Sequence, residues 1–128
     1  MSDRILVDTC IWIEFFNPDS LMGKALERLI VSDSVVTCGI VLFELMQGIK
    51  SEKEKAVITN SISNLPYIEM DLQLWEKAAV ISSSLKRKGL TFPLSDIFIA
   101  AIALEHNLPI FTLDKHFESI SGITIYKP

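Results

Sequence analysis

Cysteine, histidine and glycine are scarce in this chain, and each scarcity excludes a class of chemistry. Cys10 and Cys38 are the two cysteines, too few for a disulfide framework. No metal-ligand spacing ties them to His106 or His116, so a zinc site is not expected. The opening Met-Ser-Asp-Arg lacks the layout of a secretory signal. The thiols are therefore expected buried and reduced, in a cytoplasmic protein. The five glycines form no phosphate-cradling loop. Neither histidine stands with a nucleophile in a Ser/His/Asp or Cys/His pattern. The longest apolar run, Ile97 to Leu104, falls far short of the roughly 20 residues of a membrane span. Positive charge is sparse too. Twelve Lys and Arg against sixteen Asp and Glu leave a net charge of −4, which argues against a wide nucleic-acid-coating surface but not against a small local site.

What is abundant is branched apolar sequence. Hydrophobic residues make up 49% of 128 and charged residues 22%, the balance of a compact globular chain. No repeat, low-complexity tract or linker interrupts it, so one domain, 1–128, is expected. Ile5-Leu6-Val7 reads as a strand buried on both faces, ending on Asp8, where parallel sheets place their ligands. Cys10 to Phe16 reads as a short helix packed back on the sheet. Paired apolar residues from Leu21 to Ile30 form an amphipathic helix capped by Asp19 or Ser20. Ser34 to Cys38 is a second strand, broken by Gly39 before a nearly all-apolar helix, Ile40 to Gly48. A more polar helix spans Ser51 to Asn64, and Tyr67 to Met70 is a third strand. Asp71 caps a helix whose inner stripe is Leu74, Trp75, Ala78, Ile81 and Leu85, closed by Gly89. Ser95 is expected to cap a helix from Asp96 to His106. Strands at Ile110 to Thr112 and Ile123 to Tyr126 complete the pattern. Alternation of this kind predicts an α/β three-layer sandwich around a mostly parallel sheet.

Four carboxylates stand out. Asp8 and Asp114 fall at or just beyond strand ends; Glu44 lies among apolar residues in a helix, and Asp96 heads another on its buried stripe. Each has an ordinary reading: Asp8 as a helix cap, Glu44 in a salt bridge with Lys50 or Arg4, Asp96 as a dipole partner, Asp114 as a turn aspartate. Together they say more. Two carboxylates about 4 Å apart repel by roughly 4 kcal/mol at an effective dielectric near 20, so a shared pocket requires protons or a cation. Oxygen donors without cysteine or histidine suit Mg²⁺ or Mn²⁺. A cation would also let an acidic protein act on a polyanion. Thr9 and Thr112 stand near the acids and could orient a carboxylate, although β-branched residues are common near strands. Trp12, Ile13, Phe15 and Phe16, with Leu42, Phe43 and Met46, could cover more than a core needs, although plain core packing is the ordinary reading of most of them. Any exposed part would suit a partner helix or a second copy.

These residues resemble a PIN-domain ribonuclease, most of all the VapC-type toxins of toxin–antitoxin pairs. The likeness spans the chain: Leu6-Val7-Asp8-Thr9, the Glu44 helix with Gly48, Leu94-Ser95-Asp96 leading an Ile-Ala-Ala helix, and Thr112-Leu113-Asp114-Lys115-His116-Phe117. The resemblance implies an endoribonuclease dependent on Mg²⁺ or Mn²⁺, a homodimer, and inhibition by a cognate antitoxin. RNA, including transfer RNA, is the implied substrate class. Asp8, Glu44 and Asp96 match the family's core acids and Asp114 its more variable fourth. Asp8, Asp96 and Asp114 are expected to hold the metal, with Glu44 completing the set directly or through water. Where many relatives carry serine or asparagine, this chain has Cys10. Metal-activated water as nucleophile predicts 5′-phosphate and 3′-hydroxyl ends. Two other readings remain open from sequence: a PIN-like module that binds RNA or protein without cutting, and a phospho-receiver domain with Asp71 as acceptor and Lys115 as its lysine.

Overall fold

The structure is a computed structural model that describes residues 3–128. Its sheet has four parallel strands in the order β3-β2-β1-β4: β1 (Ile5–Val7), β2 (Val35–Cys38), β3 (Tyr67–Ile68) and β4 (Ile110–Phe111). Ile5 and Leu6 pair with Val35 and Val36, while Leu6 and Val7 pair with Ile110 and Phe111. Every residue of β1, β2 and β4 is buried. Side chains alternate between sheet faces, so both faces are covered, as an α/β/α sandwich requires. The helices that cover them are α1 (Thr9–Glu14), α2 (Leu21–Val31), α3 (Gly39–Gln47), α4 (Glu52–Ile62), α5 (Leu72–Arg87) and α6 (Leu94–His106).

The strand order locates the functional edge. From β1 the chain winds outward through β2 to β3, then returns to lay β4 on the other side of β1. The crevice beyond the carboxyl ends of β1 and β4 is thus the switch point at which open α/β sheets bind ligands. Asp8 and Thr112 each follow directly on one of these two strands. Gly23 fixes the first helix: a methyl group there would overlap the Glu14 carbonyl, so α2 lies directly against the end of α1. Ser20 caps α2 by accepting the Gly23 N–H, and its own hydroxyl donates to Glu14.

Three expectations need correction. Ile123 to Tyr126 is not a strand: Ile125 alone bridges Ile110, with Ile110 N–H bonded to Thr124 and Tyr126 N–H to Ile110. β4 ends after Phe111, where the chain turns toward a 3₁₀ turn (Lys115–Ser119), and leaves no longer edge to pair with. Ser95 does not cap α6. The helix starts at Leu94 on Pro93, whose carbonyl takes the N–H groups of Asp96 and Ile97, so Asp96 lies in the first turn. Proline's fixed φ suits this entry. Trp75 is 51% exposed. The buried stripe of α5 runs through Leu74, Ala78 and Leu85, and one residue's rotation of about 100° carries Trp75 to its edge, against Phe98.

Candidate metal centre

Asp8 is the hub of the crevice. Its backbone N–H continues the sheet ladder to Phe111, which pins it between β1 and β4. Its backbone is extended, as an N-cap requires, and Oδ1 accepts the Thr9 N–H at 2.8 Å. Oδ2 accepts the Thr112 hydroxyl at 2.7 Å and faces the Cys10 thiol at 3.5 Å. The capping reading of Asp8 is therefore correct, and it occupies one oxygen only.

Each threonine links Asp8 to a further acid. Thr112 Oγ1 accepts the Asp114 N–H at 2.9 Å while donating to Asp8. Thr9 Oγ1 donates to Glu44 Oε1 at 2.7 Å. Glu44 is thus half-buried and held from α1; neither Lys50 nor Arg4 is its ion-pair partner among the described residues, and Arg4 pairs with Asp33. Asp96, 7% exposed, lies on the inner face of α6. Asp114 caps the 3₁₀ turn by accepting the His116 N–H. That turn brings His116 Nδ1 to 3.0 Å from Asp114 Oδ1 and 3.2 Å from Asp96 Oδ2. One ligand atom from each of Asp96, Asp114 and His116 lies within 4.8 Å of the others.

Burial pushes the Asp8 carboxyl above its ordinary range, against the hydrogen bonds from Thr112, Thr9 and Cys10, and the Glu44 charge adds to the rise. Burial likewise raises Asp96 to about 6, aided by the charges of Asp114 and Asp8 and opposed by His116. His116 is raised in turn, first through its hydrogen bond to Asp96. Among the described residues no lysine or arginine pairs with any of the four acids. Two buried carboxylates disfavoured as anions, with two more beside them and, among the described residues, His116 as the one basic side chain paired with them, form a negative focus that a cation would satisfy.

Of the four acids expected from sequence, Asp96 and Asp114 bring ligand atoms together with His116, while Asp8 is joined to Asp114 through Thr112 and to Glu44 through Thr9. Sequence reading missed two others. In sequence His116 has neither a cysteine partner nor a nucleophile; its signal is the Asp-x-His spacing, which a 3₁₀ turn folds onto one side. Cys10 does make polar contact: besides Asp8, its sulfur accepts the Leu113 N–H at 3.4 Å and lies 3.6 Å from the Thr112 hydroxyl. Two hydrophobic residues near the rim, Ile13 (59%) and Phe43 (63%), are exposed, with Phe16 and Met46 partly so. Trp12 is buried.

The profile of the PIN domain matches residues 5–123. The chain belongs to the PIN domain family. Among its relatives, a VapC ribonuclease of Mycobacterium bovis is 26% identical, covering 94% of this chain and 93% of the relative. The ribonuclease VapC1 of Methanocaldococcus jannaschii is 28% identical, over 96% and 87%. Among solved structures, DNA-bound VapBC of Salmonella typhimurium superposes with a TM-score of 0.81 at 30% identity over 98% of both chains. VapBC2 of Rickettsia felis, bound to a promoter DNA fragment, gives 0.80 at 25% over 96% and 97%. Membership of this family replaces the phospho-receiver reading. Asp71 follows the edge strand β3, and its side chain is engaged in capping α5.

Proposed function

We propose that this PIN domain is a divalent-metal-dependent endoribonuclease that acts as the toxin of a toxin–antitoxin pair. The observation that carries the reading is the convergence of Asp8, Asp96, Asp114 and Glu44 at the switch point, with no lysine or arginine paired to them among the described residues, in a chain similar along nearly its whole length to VapC ribonucleases. The donor set is rich in carboxylate oxygen and suits Mg²⁺ or Mn²⁺. Asp8, Asp96 and Asp114 would hold the ion. Once bound, such an ion supplies a Lewis acid that withdraws charge from the scissile phosphate and acidifies water.

The remaining work falls to the side chains. Thr9 and Thr112 each carry a hydrogen bond between two acids and so keep Glu44 and Asp114 in register with Asp8. Glu44 accepts Thr9 through Oε1, which leaves Oε2 to orient the attacking water. Hydrolysis forms a bond from water oxygen to phosphorus and breaks the bond to the 3′ oxygen, giving 5′-phosphate and 3′-hydroxyl ends. Unpaired RNA segments, such as the loops of transfer RNA, fit an edge site of this kind, since their bases are accessible.

Ile13, Phe16, Leu45 and Ile58 line a groove of about 290 Å³, with Glu44, Lys50 and Glu54 as its charged lining. We assign this groove to the apolar face of an antitoxin helix, and a homodimer and a cytoplasmic location to the protein. No helix among the described residues is long and apolar enough to cross a membrane.

The deciding experiment is cleavage of a mixed RNA pool by antitoxin-free protein with Mg²⁺ or Mn²⁺, with EDTA, and with the Asp8→Asn variant. Metal-dependent cuts bearing 5′-phosphates, lost in Asp8→Asn, are expected. Cyclic 2′,3′-phosphate ends would overturn the water mechanism. Absence of cutting by folded protein would favour a module that binds without cleaving.

A further inference from the structure

His116 is the one member of the acid cluster that the carboxylate reading leaves without a role. Its Nδ1 lies 3.0 Å from Asp114 Oδ1 and 3.2 Å from Asp96 Oδ2. A single Nδ1–H has one hydrogen and cannot point along both directions, so at least one carboxylate faces the nitrogen without a linear hydrogen bond. The same spacings have another meaning. Ligands at about 2.1 Å from one ion and at right angles lie about 3.0 Å apart. Nδ1 thus stands to each of the two oxygens at the spacing of neighbouring ligands of a common cation, and the three ligand atoms all lie within 4.8 Å of one another.

The ring is also held in place. It stacks on Phe92, with centroids 4.9 Å apart and planes inclined by 22°. Phe92 itself packs against the core in the loop that enters α6. The backbone N–H of His116 donates to Asp114 Oδ1, which fixes both residues on one turn. Imidazole orientation is therefore set from two sides, one of them the loop preceding Asp96.

We infer that His116 supplies a nitrogen ligand, through Nδ1, to the cation held by Asp96 and Asp114, and that the site consequently selects Mn²⁺ over Mg²⁺. The inference rests on the metal-dependent reading above. Mg²⁺ binds almost wholly through oxygen, whereas imidazole favours first-row transition ions. One nitrogen in an otherwise carboxylate set shifts the balance without creating a zinc-type site. To bind, Nδ1 must present its lone pair, so the bound tautomer carries its proton on Nε2.

The test is pulsed EPR of the full chain loaded with Mn²⁺, beside His116→Gln and Asp96→Asn. His116 is exposed, and the glutamine variant keeps the backbone N–H that Asp114 accepts, so its folding is expected to be unchanged by thermal melting. Expected are imidazole nitrogen modulation in the wild type, its loss in His116→Gln, and Mn²⁺ binding weakened at least about tenfold. Mg²⁺ affinity, measured by competition against Mn²⁺, should change less than about threefold. Mn²⁺ bound without nitrogen modulation in the wild type, modulation that survives in His116→Gln, or equal losses for both ions would overturn the inference and leave the carboxylate site standing. Failure of Mn²⁺ and Mg²⁺ to bind the wild type at all would overturn both readings.

Discussion

Removing a charge from the proposed site should make the metal-free protein more stable while abolishing its activity, and Asp96→Asn is the substitution that separates these effects. Asp96 is buried, and its carboxyl is raised from an ordinary 3.8 to about 6, chiefly by burial. The proton is thus held more tightly in the folded state than in the unfolded one. Stability from this group is fully present below 3.8 and is lost as pH rises through about 6. The full displacement corresponds to about 3 kcal/mol at 1.36 kcal/mol per tenfold change. That is an upper bound, because the cluster opens to solvent at His116 and Asp114 and screening reduces such terms. A value of about 1 kcal/mol is expected near pH 8, which for a chain of this length raises the melting temperature by about 4 °C. By about pH 5 the advantage should shrink to roughly half, since the wild-type carboxyl is then largely neutral in the folded state. Saturating Mn²⁺ at about 100 times its dissociation constant should stabilise the wild type by about 2.7 kcal/mol and the variant far less. The assay is thermal melting in EDTA and in Mn²⁺ across that pH range, beside RNA cleavage. An Asp96→Asn protein less stable than wild type at pH 8 in EDTA, or an advantage that does not change with pH, would refute the reasoning.

Thr112→Val removes the hydroxyl that donates to Asp8 and accepts from Asp114. It should cost about 1.5–3 kcal/mol and raise the Asp8 carboxyl further, so that chemical denaturation shows a larger loss near pH 8 than near pH 5. Thr9→Val releases Glu44 from its hydrogen-bonding partner; cleavage should fall at least about tenfold, as expected for an orienting group, with metal affinity nearly unchanged by calorimetry. Phe43→Glu alters an exposed residue, so melting should move by less than about 0.5 kcal/mol while antitoxin affinity falls at least about tenfold; unchanged affinity in a pull-down titration would remove Phe43 from the interface.

The extent to which this site is legible in sequence follows from what periodicity can encode. The run Ile5 to Val7 ending on Asp8 announces a central strand and its carboxyl end, because a strand buried on both faces must be continuously apolar. Asp96 is legible as a member of α6's buried face for a similar reason. Periodicity carries no information about which strand ends become neighbours. That β4 returns beside β1, and so lets Thr112 hydrogen-bond Asp8, depends on the reversal in strand order. Local pattern also misjudges depth. Glu44 sits among apolar residues in sequence yet is half-buried, because its neighbours Phe43 and Met46 on α3 are themselves exposed. Surface left apolar for a partner cannot be told from core by composition. His116 is a third kind of miss. Its spacing from Asp114 would share one face on a strand, but β4 ends at Phe111, and on a helix residues two apart do not face each other. It acquires meaning on the 3₁₀ turn that Asp114 itself caps. The acid that helps define the site thus also folds the turn that carries the imidazole to it, and a search for ligand spacings over helices alone passes over such a pair.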